Sequence, residues 1–268
     1  MTDRRTALIT GASSGFGVEF ARLFARDGFD LVLVARSGAK MEELAQMLEG
    51  RFGITTIVLP KDLSHAHAGG ELADNLHRRG VTIDALVNNA GFAQYGSFVD
   101  ADPAELVEML QVNVVALTEL TRALLPRMVE RGWGRIMNLG SVGSFAPAPM
   151  TGAYAATKAF VLSFSLALTE ELKGTGVTVT ALCPGPTETG FQARAAMADS
   201  KLIAGRRLVS ADEVVRAGYA AMQKGRPFLV TGTASRLFAF GSRMLPRTTA
   251  AKIAGRSQKR ITDRGGMQ

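Results

Sequence analysis

The sequence predicts a single α/β domain: seven short strands in one parallel, doubly wound sheet, with helices on both faces. Three observations predict it. Short apolar runs alternate with segments of helical periodicity from one end of the chain to the other. A Gly-rich turn, Thr10–Gly17, separates the first apolar run from the first helical segment. Small or polar residues stand just past later runs, at Asn88–Gly91, Ser141 and Pro184–Gly185. That is where open α/β sheets bind ligands.

Taken in order, Thr6–Thr10 reads as a strand, Gly15–Asp27 as a helix and Leu31–Ala35 as a buried strand. Met41–Phe52 has helical periodicity, and Ile54–Leu59 is the third strand. A helix around Gly70–Arg79 precedes the strand Ile83–Asn88. Pro103 suits the first turn of a helix, and the stretch it opens runs to about Glu130, with an interruption expected near Gln111–Asn113. Arg135–Leu139 is the fifth strand, Ala153–Lys173 a helix, Val177–Leu182 the sixth strand and Ala211–Gln223 a helix. Phe228–Thr231 is the last strand. Strands this apolar and this regularly separated by helices belong in a sheet covered on both sides. Right-handed crossovers then make it a Rossmann-type sheet. The Ala-, Gly- and Thr-containing connection 186–210 is long enough to serve as a lid.

The composition narrows the function. With 268 residues, 47% hydrophobic and 21% charged, the chain is an ordinary globular one with enough length for a large core. No run of about 18 apolar residues suggests a membrane-spanning helix, and the N-terminus has no apolar signal-peptide core. The single cysteine, Cys183, allows neither an internal disulfide nor a cysteine-based zinc site. His65 and His67 could form a weak metal pair, but a solvated loop and helix explains them as well, and no metal is expected. These features predict a cytoplasmic protein.

Charge is distributed unevenly. Of 31 Lys and Arg, eight lie in residues 233–268 against Asp263 alone, so the tail carries the whole formal net charge of +7. The remainder is neutral, and no nucleic-acid partner is expected. The chain thus divides into a dinucleotide-binding and catalytic body, 1–232, and a basic helical extension, 233–268.

Several residues carry chemistry. In Gly11, Ser13, Ser14, Gly15, Phe16 and Gly17, backbone amides and a helix N-terminus can cradle a pyrophosphate. An ordinary strand-to-helix turn is the alternative. Past the second strand, Ala35 stands where NAD-selective sites place an acid. Arg36 offers a guanidinium suited to a 2′-phosphate, so NADP(H) is preferred over NAD(H). Asp62 and Leu63 follow the third strand, where Asp62 could meet an adenine amine or cap a helix. Asn89, Ala90 and Gly91 close the fourth strand. Asn113, among β-branched residues, either breaks the helical ladder and frees a carbonyl for water or is simply a buried amide. Pro184, Gly185, Thr187 and Thr189 follow the sixth strand, where hydroxyls could meet a nicotinamide amide and its phosphate or cap the loop. Tyr154 and Lys158, four residues apart, share a helix face. A phenol titrates near ~10, and a neighbouring cation lowers that value. With the Ser141 hydroxyl close by, the pair forms a general acid for a ketone or a base for an alcohol.

As a set, Thr10–Gly17, Asn88–Gly91, Asn113, Ser141, Tyr154–Lys158 and Pro184–Gly185 strongly resemble the short-chain dehydrogenase/reductase family, from about Thr6 to Thr231. The resemblance implies an NAD(P)(H)-dependent oxidoreductase interconverting a ketone or aldehyde and an alcohol. It implies Tyr154 as proton donor or acceptor, and Lys158 as the group that lowers its pKa and binds the nicotinamide ribose. Ser141 would orient the substrate oxygen, and Asn113 would hold a water in a proton relay. It also implies a homodimer or homotetramer. A catalytically silent dinucleotide-binding scaffold is the competing reading, and the intact Ser–Tyr–Lys set opposes it. Apolar residues expected near the substrate (Phe92, Phe98, Val142, Phe145, Pro147, Pro149, Met150, Phe191, Met197) favour a lipophilic one. In the tail, Leu237, Phe238, Phe240, Met244 and Leu245 fall largely on one helical side before Pro246, and a second helix is expected from Thr248. Packing of that side on the body or a sister subunit is expected, with peripheral contact with the inner face of a membrane or binding of an acidic partner as alternatives.

Overall fold

The computed structural model describes residues 4–188 and 208–258. Seven strands form one sheet: β1 (Thr6–Thr10), β2 (Asp30–Ala35), β3 (Thr56–Pro60), β4 (Ala85–Asn88), β5 (Gly134–Leu139), β6 (Val177–Cys183) and β9 (Phe228–Val230). Their order is β3-β2-β1-β4-β5-β6-β9, and every neighbouring pair is parallel. The strands and their parallel arrangement agree with the sequence, with ends shifted by a residue or two. A small parallel ribbon, β7 (Thr187–Glu188) with β8 (Val209–Ser210), was not expected. Two-residue strands leave no periodicity to read.

Side chains alternate across the sheet and explain its two cores. Ala7, Ile9, Leu31 and Leu33 face one layer, packed against α1 (Phe16–Arg26), α2 (Gly38–Phe52) and α7 (Ala211–Gln223) through Phe20, Phe24, Met41, Leu48 and Val214. Leu8, Val32, Val34 and Leu86 face the other. There α3 (Ala68–Arg78), α5 (Leu117–Glu130) and α6 (Gly152–Glu171) supply Leu72, Leu76, Leu120 and Leu168. α6 is also the one described helix long and apolar enough to cross a bilayer by length and composition alone. No unbroken apolar run signalled it, because its apolar residues are interspersed with Ser and Thr; here they pack against the sheet.

The long central stretch is interrupted as expected. α4 (Pro103–Leu110) passes into a π-helical segment, Gln111–Ala116, before α5. Asp102 caps α4, accepting from the amide of Ala104 at 2.9 Å.

The tail forms α8 (Thr233–Met244) and α9 (Arg247–Gln258), separated at Pro246. Of the apolar side expected to pack on the body or a sister subunit, Phe238 is half-buried, and in this chain the close contacts fall to smaller residues. The buried contacts are made by Ala239, Ala250 and Ala254, while Leu237, Phe240 and Met244 are 72%, 66% and 75% exposed. Small residues allow close approach to the body, and that rotates the large ones outward.

Candidate active site

The chain runs outward from β1 to β3, then returns across the sheet to β4. The crevice expected at that reversal is present above the strand C-termini. It is a cleft of about 530 Å³.

At one end lies the Gly-rich turn. Gly15, at φ 55°, precedes α1, whose N-terminus no side chain caps, leaving its first amides available to an anion. Gly17 lies against the Gly11 carbonyl so closely that any Cβ would collide with it. Thr10 holds this turn to the next motif. Its buried Oγ1 accepts from the amides of Asn89 (3.0 Å) and Ala90 (2.9 Å), and Asn89 Nδ2 donates to the Thr10 carbonyl at 2.8 Å. Sequence reasoning passed over that role, although a β-branched hydroxyl ending a buried strand was its signal.

Gly11, Ser13, Ser14, Gly15 and Phe16 all line the cleft, and Arg36, Asp62 and Leu63 line it beside them. Arg36 is exposed; burial raises Asp62, but the hydrogen bonds from Ser64, helped by the Arg36 and His65 charges, together hold it below the usual carboxylate range. Asp62 does not cap a helix. It accepts from the Ser64 amide at 2.9 Å, and the cap of α3 is His67. Lys61 and Ser37 also line this end and were not singled out.

At the other end lie Asn89, Ala90, Gly91, Ser141, Tyr154, Lys158, Pro184, Gly185 and Thr187. Gly17 and Asn113 sit behind the lining, and Thr189 lies outside the described residues. Of the expected lid, 189–207 also lie outside.

Helix α6 brings Tyr154 and Lys158 to this point. Ser141 caps the short turn Val142–Phe145, its Oγ accepting from the Gly143 amide at 3.0 Å. Ser144 Oγ accepts from the Ser141 amide at 3.2 Å and donates to the Lys158 carbonyl at 2.7 Å, fastening the turn to α6. The Val142 amide donates to the Pro184 carbonyl at 2.8 Å. Ser141 is thereby held against Tyr154, with which it forms a hydrogen bond.

The electrostatics differ from expectation. Burial pushes Tyr154 up to about 12, and the Ser141 hydrogen bond draws it partly back. The buried Nζ of Lys158 donates to the Leu139 carbonyl at 2.7 Å and stands 5.8 Å from the tyrosine ring centre. Burial lowers Lys158 to about 8.

Asn113 is buried in the π-helical segment. Its Oδ1 accepts from the Phe92 amide at 3.1 Å, and its Nδ2 donates to the Phe92 carbonyl (3.0 Å) and Thr157 Oγ1 (3.1 Å). The helical ladder is disturbed here, and the buried side-chain amide is satisfied by neighbouring groups. A Cβ built on Gly91 would stand 2.9 Å from Asn113 Oδ1 and 3.4 Å from Lys158 Nζ, so this glycine brings the two groups to one place.

Of the apolar residues expected near the substrate, Phe92 and Val142 line the cleft, joined by Glu108, Val112, Ala148 and Thr151. Phe98 is instead 73% exposed. Phe145 packs against the buried cluster of Leu162, Ala181, Cys183, Val230 and Ala239, and Pro147, Pro149 and Met150 are not in the lining. Phe191 and Met197 lie outside the described residues.

A sheet reversal, a Gly-cradled helix end and a Ser–Tyr–Lys cluster define a dinucleotide-dependent oxidoreductase. The short chain dehydrogenase family model matches residues 5–199, and the chain belongs to that family. It is 41% identical to sulfoacetaldehyde reductase 2 of Chromohalobacter salexigens, over 69% of this chain and 73% of that protein. Other, longer relatives are matched over only 65% and 52% of their own length. A short-chain dehydrogenase from Sphingobium yanoikuyae in complex with NADPH superposes with a TM-score of 0.79 at 36% identity, covering 90% of this chain and 93% of that one. The bulky-bulky ketone specific alcohol dehydrogenase from Comamonas testosteroni gives 0.77 at 33% identity, covering 91% and 93%. The chain is an oxidoreductase of the carbonyl/alcohol class, on a fold that binds NAD(P) and takes small-molecule substrates.

Proposed function

We propose that this enzyme reduces a lipophilic ketone or aldehyde with NADPH, or runs the reverse oxidation, with Tyr154 as the general acid or base. The observation that carries the reading is the meeting of Ser141, Tyr154 and Lys158 at the inner end of the cleft. The residues present fit a dinucleotide: the α1 N-terminus is uncapped, Gly11 and Gly17 have no room for a Cβ, and no acid follows β2 directly. Arg36 and the α1 amides would hold its phosphates, and Lys158, Asn89 and Thr187 would hold its nicotinamide end. Bound NADPH supplies a hydride to the carbonyl carbon.

The chain's own groups complete the reaction. Ser141 donates a hydrogen bond to the substrate oxygen. Tyr154 gives that oxygen its proton, and a phenol raised to about 12 stays protonated through neutral pH, as an acid must. Lys158 replaces the departing proton by way of the polar cluster with Asn113. In the oxidative direction Tyr154 takes the proton instead, and positive charge brought close to the phenol makes that easier.

The lining favours an apolar substrate. Phe92, Val112, Val142 and Ala148 surround the reacting end, and Glu108 is the charged group near them. Among the described residues there, Lys158 alone is cationic, and it is bonded to Leu139. A sulfonate such as that of sulfoacetaldehyde would find no free counter-charge among those described residues, whereas a bulky ketone needs none.

The test is NADPH oxidation against a panel of ketones, with Tyr154→Phe as control. Turnover of apolar ketones, abolished in Tyr154→Phe, is expected. Full activity in that variant would remove Tyr154 from its role. A homodimer or homotetramer fits the exposed Val107, Leu110, Val115 and Phe160 on α4, the π-helical segment and α6. Sedimentation equilibrium would measure it.

A further inference from the structure

The C-terminal helices are turned inside out relative to an ordinary surface helix. Leu237, Phe240 and Met244 recur at i, i+3 and i+7 and form one exposed row along α8. Arg236 and Arg243 run along its edge, both exposed, with Arg236 tethered through Nε to the Val230 carbonyl at 2.9 Å. Past the helix Leu245 is exposed, and α9 adds half-exposed Ile253 together with exposed Arg247 and Lys252. From Thr233 to Gln258 there is no carboxylate, and among the described residues none pairs with Arg243, Arg247 or Lys252.

We infer that α8 and α9 form a docking surface for an anionic lipid bilayer. An apolar row edged by cations matches the boundary between headgroups and acyl chains. The partner's sign is set by charge: the body is neutral and the tail carries +7. Pairing this surface with its own copy would bring two such charges together, which disfavours a twofold contact. The position is also informative. Helix α8 contacts the turn Val142–Phe145 that Ser141 caps, where Phe145 packs against the buried cluster that includes Ala239, and Gly255 approaches Pro149, where a Cβ would stand 3.2 Å from Pro149 Cγ. On the far side of this loop the Gly96 amide donates to the Met150 carbonyl at 2.8 Å, two residues before exposed Phe98. Docking therefore brings the substrate side of the cleft next to the bilayer. The use of that placement, uptake of substrate from the lipid, rests on the lipophilic-substrate reading; the docking does not.

The experiment is sedimentation of the full chain with phosphatidylcholine vesicles, with and without phosphatidylglycerol, at low and high salt. Binding is expected to be at least about tenfold stronger to the anionic vesicles and to fall with salt. Arg243→Gln/Arg247→Gln/Lys252→Gln should lose on the order of 100-fold, at roughly fivefold per cation. The corresponding Lys substitutions at 243 and 247 should keep binding. Leu237→Ser/Phe240→Ser/Met244→Ser should lose at least about tenfold. All variants should retain reduction of a water-soluble ketone, since none of these residues touches the cleft. Failure to bind anionic vesicles, or binding that none of the variants alters, overturns the inference. So does a shift of the triple serine variant to a smaller oligomer without loss of vesicle binding, which would make the row a subunit contact. An enzyme that binds vesicles but reduces no ketone would refute the proposed function and leave the docking intact.

Discussion

At Tyr154 two environments compete. Burial alone makes the phenol a very weak acid, and Ser141 is the group that opposes it. Replacing Tyr154 by Phe should lower kcat by roughly 10²- to 10⁴-fold, the usual worth of a positioned acid, with little change in the far-UV spectrum. Ser141→Ala should also slow turnover and should move the alkaline limb of the pH–rate profile upward, because the phenol loses its stabilising partner. Arg36 makes a separate prediction. A charge-assisted contact to a 2′-phosphate is worth about 1.5–3 kcal/mol, so Arg36→Ala should weaken NADPH binding roughly 10- to 100-fold. NADH binding should hardly change, and titration by fluorescence measures both. Equal losses would remove the phosphate contact from Arg36. These residues were all legible in the sequence because their spacing is local or their motif dense. The direction in which Lys158 points was not, because it depends on the Leu139 carbonyl in another element.

At the scale of elements, the Gly-rich turn and α1 act as one piece. Gly17 abuts the Gly11 carbonyl, so Gly17→Ala must displace the helix from the turn. Overpacking of this kind costs about 1–3 kcal/mol. The expected outcome is a lower urea midpoint together with weaker dinucleotide binding, read by chemical denaturation and titration. An Ala at that position that changed neither would show that the turn is looser than its geometry. The π-helical segment Gln111–Ala116 was legible as an interruption, since Asn113 among β-branched residues argues against a regular ladder. Its form was not legible: the bonds from Asn113 to Phe92 and Thr157, which accompany it, join residues 21 and 44 positions away.

Across the whole molecule, buried titratable groups set the pH dependence of stability. Lys158 sits at about 8 in the fold against an ordinary 10.5. Between those values the unfolded chain binds more protons, so stability rises with pH. Cys183 and Tyr154 are raised to about 12 from 9.0 and 10.0, so above about 9 the folded state holds the extra protons and stability falls. The urea midpoint should therefore climb from neutrality to roughly pH 9 and decline above roughly pH 10. Lys158→Met should flatten the rising limb. A midpoint constant from pH 7 to 9 would contradict the buried-ammonium account.

The sequence by itself determined the strand and helix succession, the Gly-rich turn and the residues of the reacting cluster, because those depend on periodicity and on groups close along the chain. Tertiary structure alone decided where the Lys158 ammonium points, which apolar residues line the cleft, and that the tail buries Ala239, Ala250 and Ala254. The reason is physical. A helix with apolar residues around much of its circumference can bury either its large or its small side chains. The choice rests on the shape of the surface it meets, which no local pattern encodes.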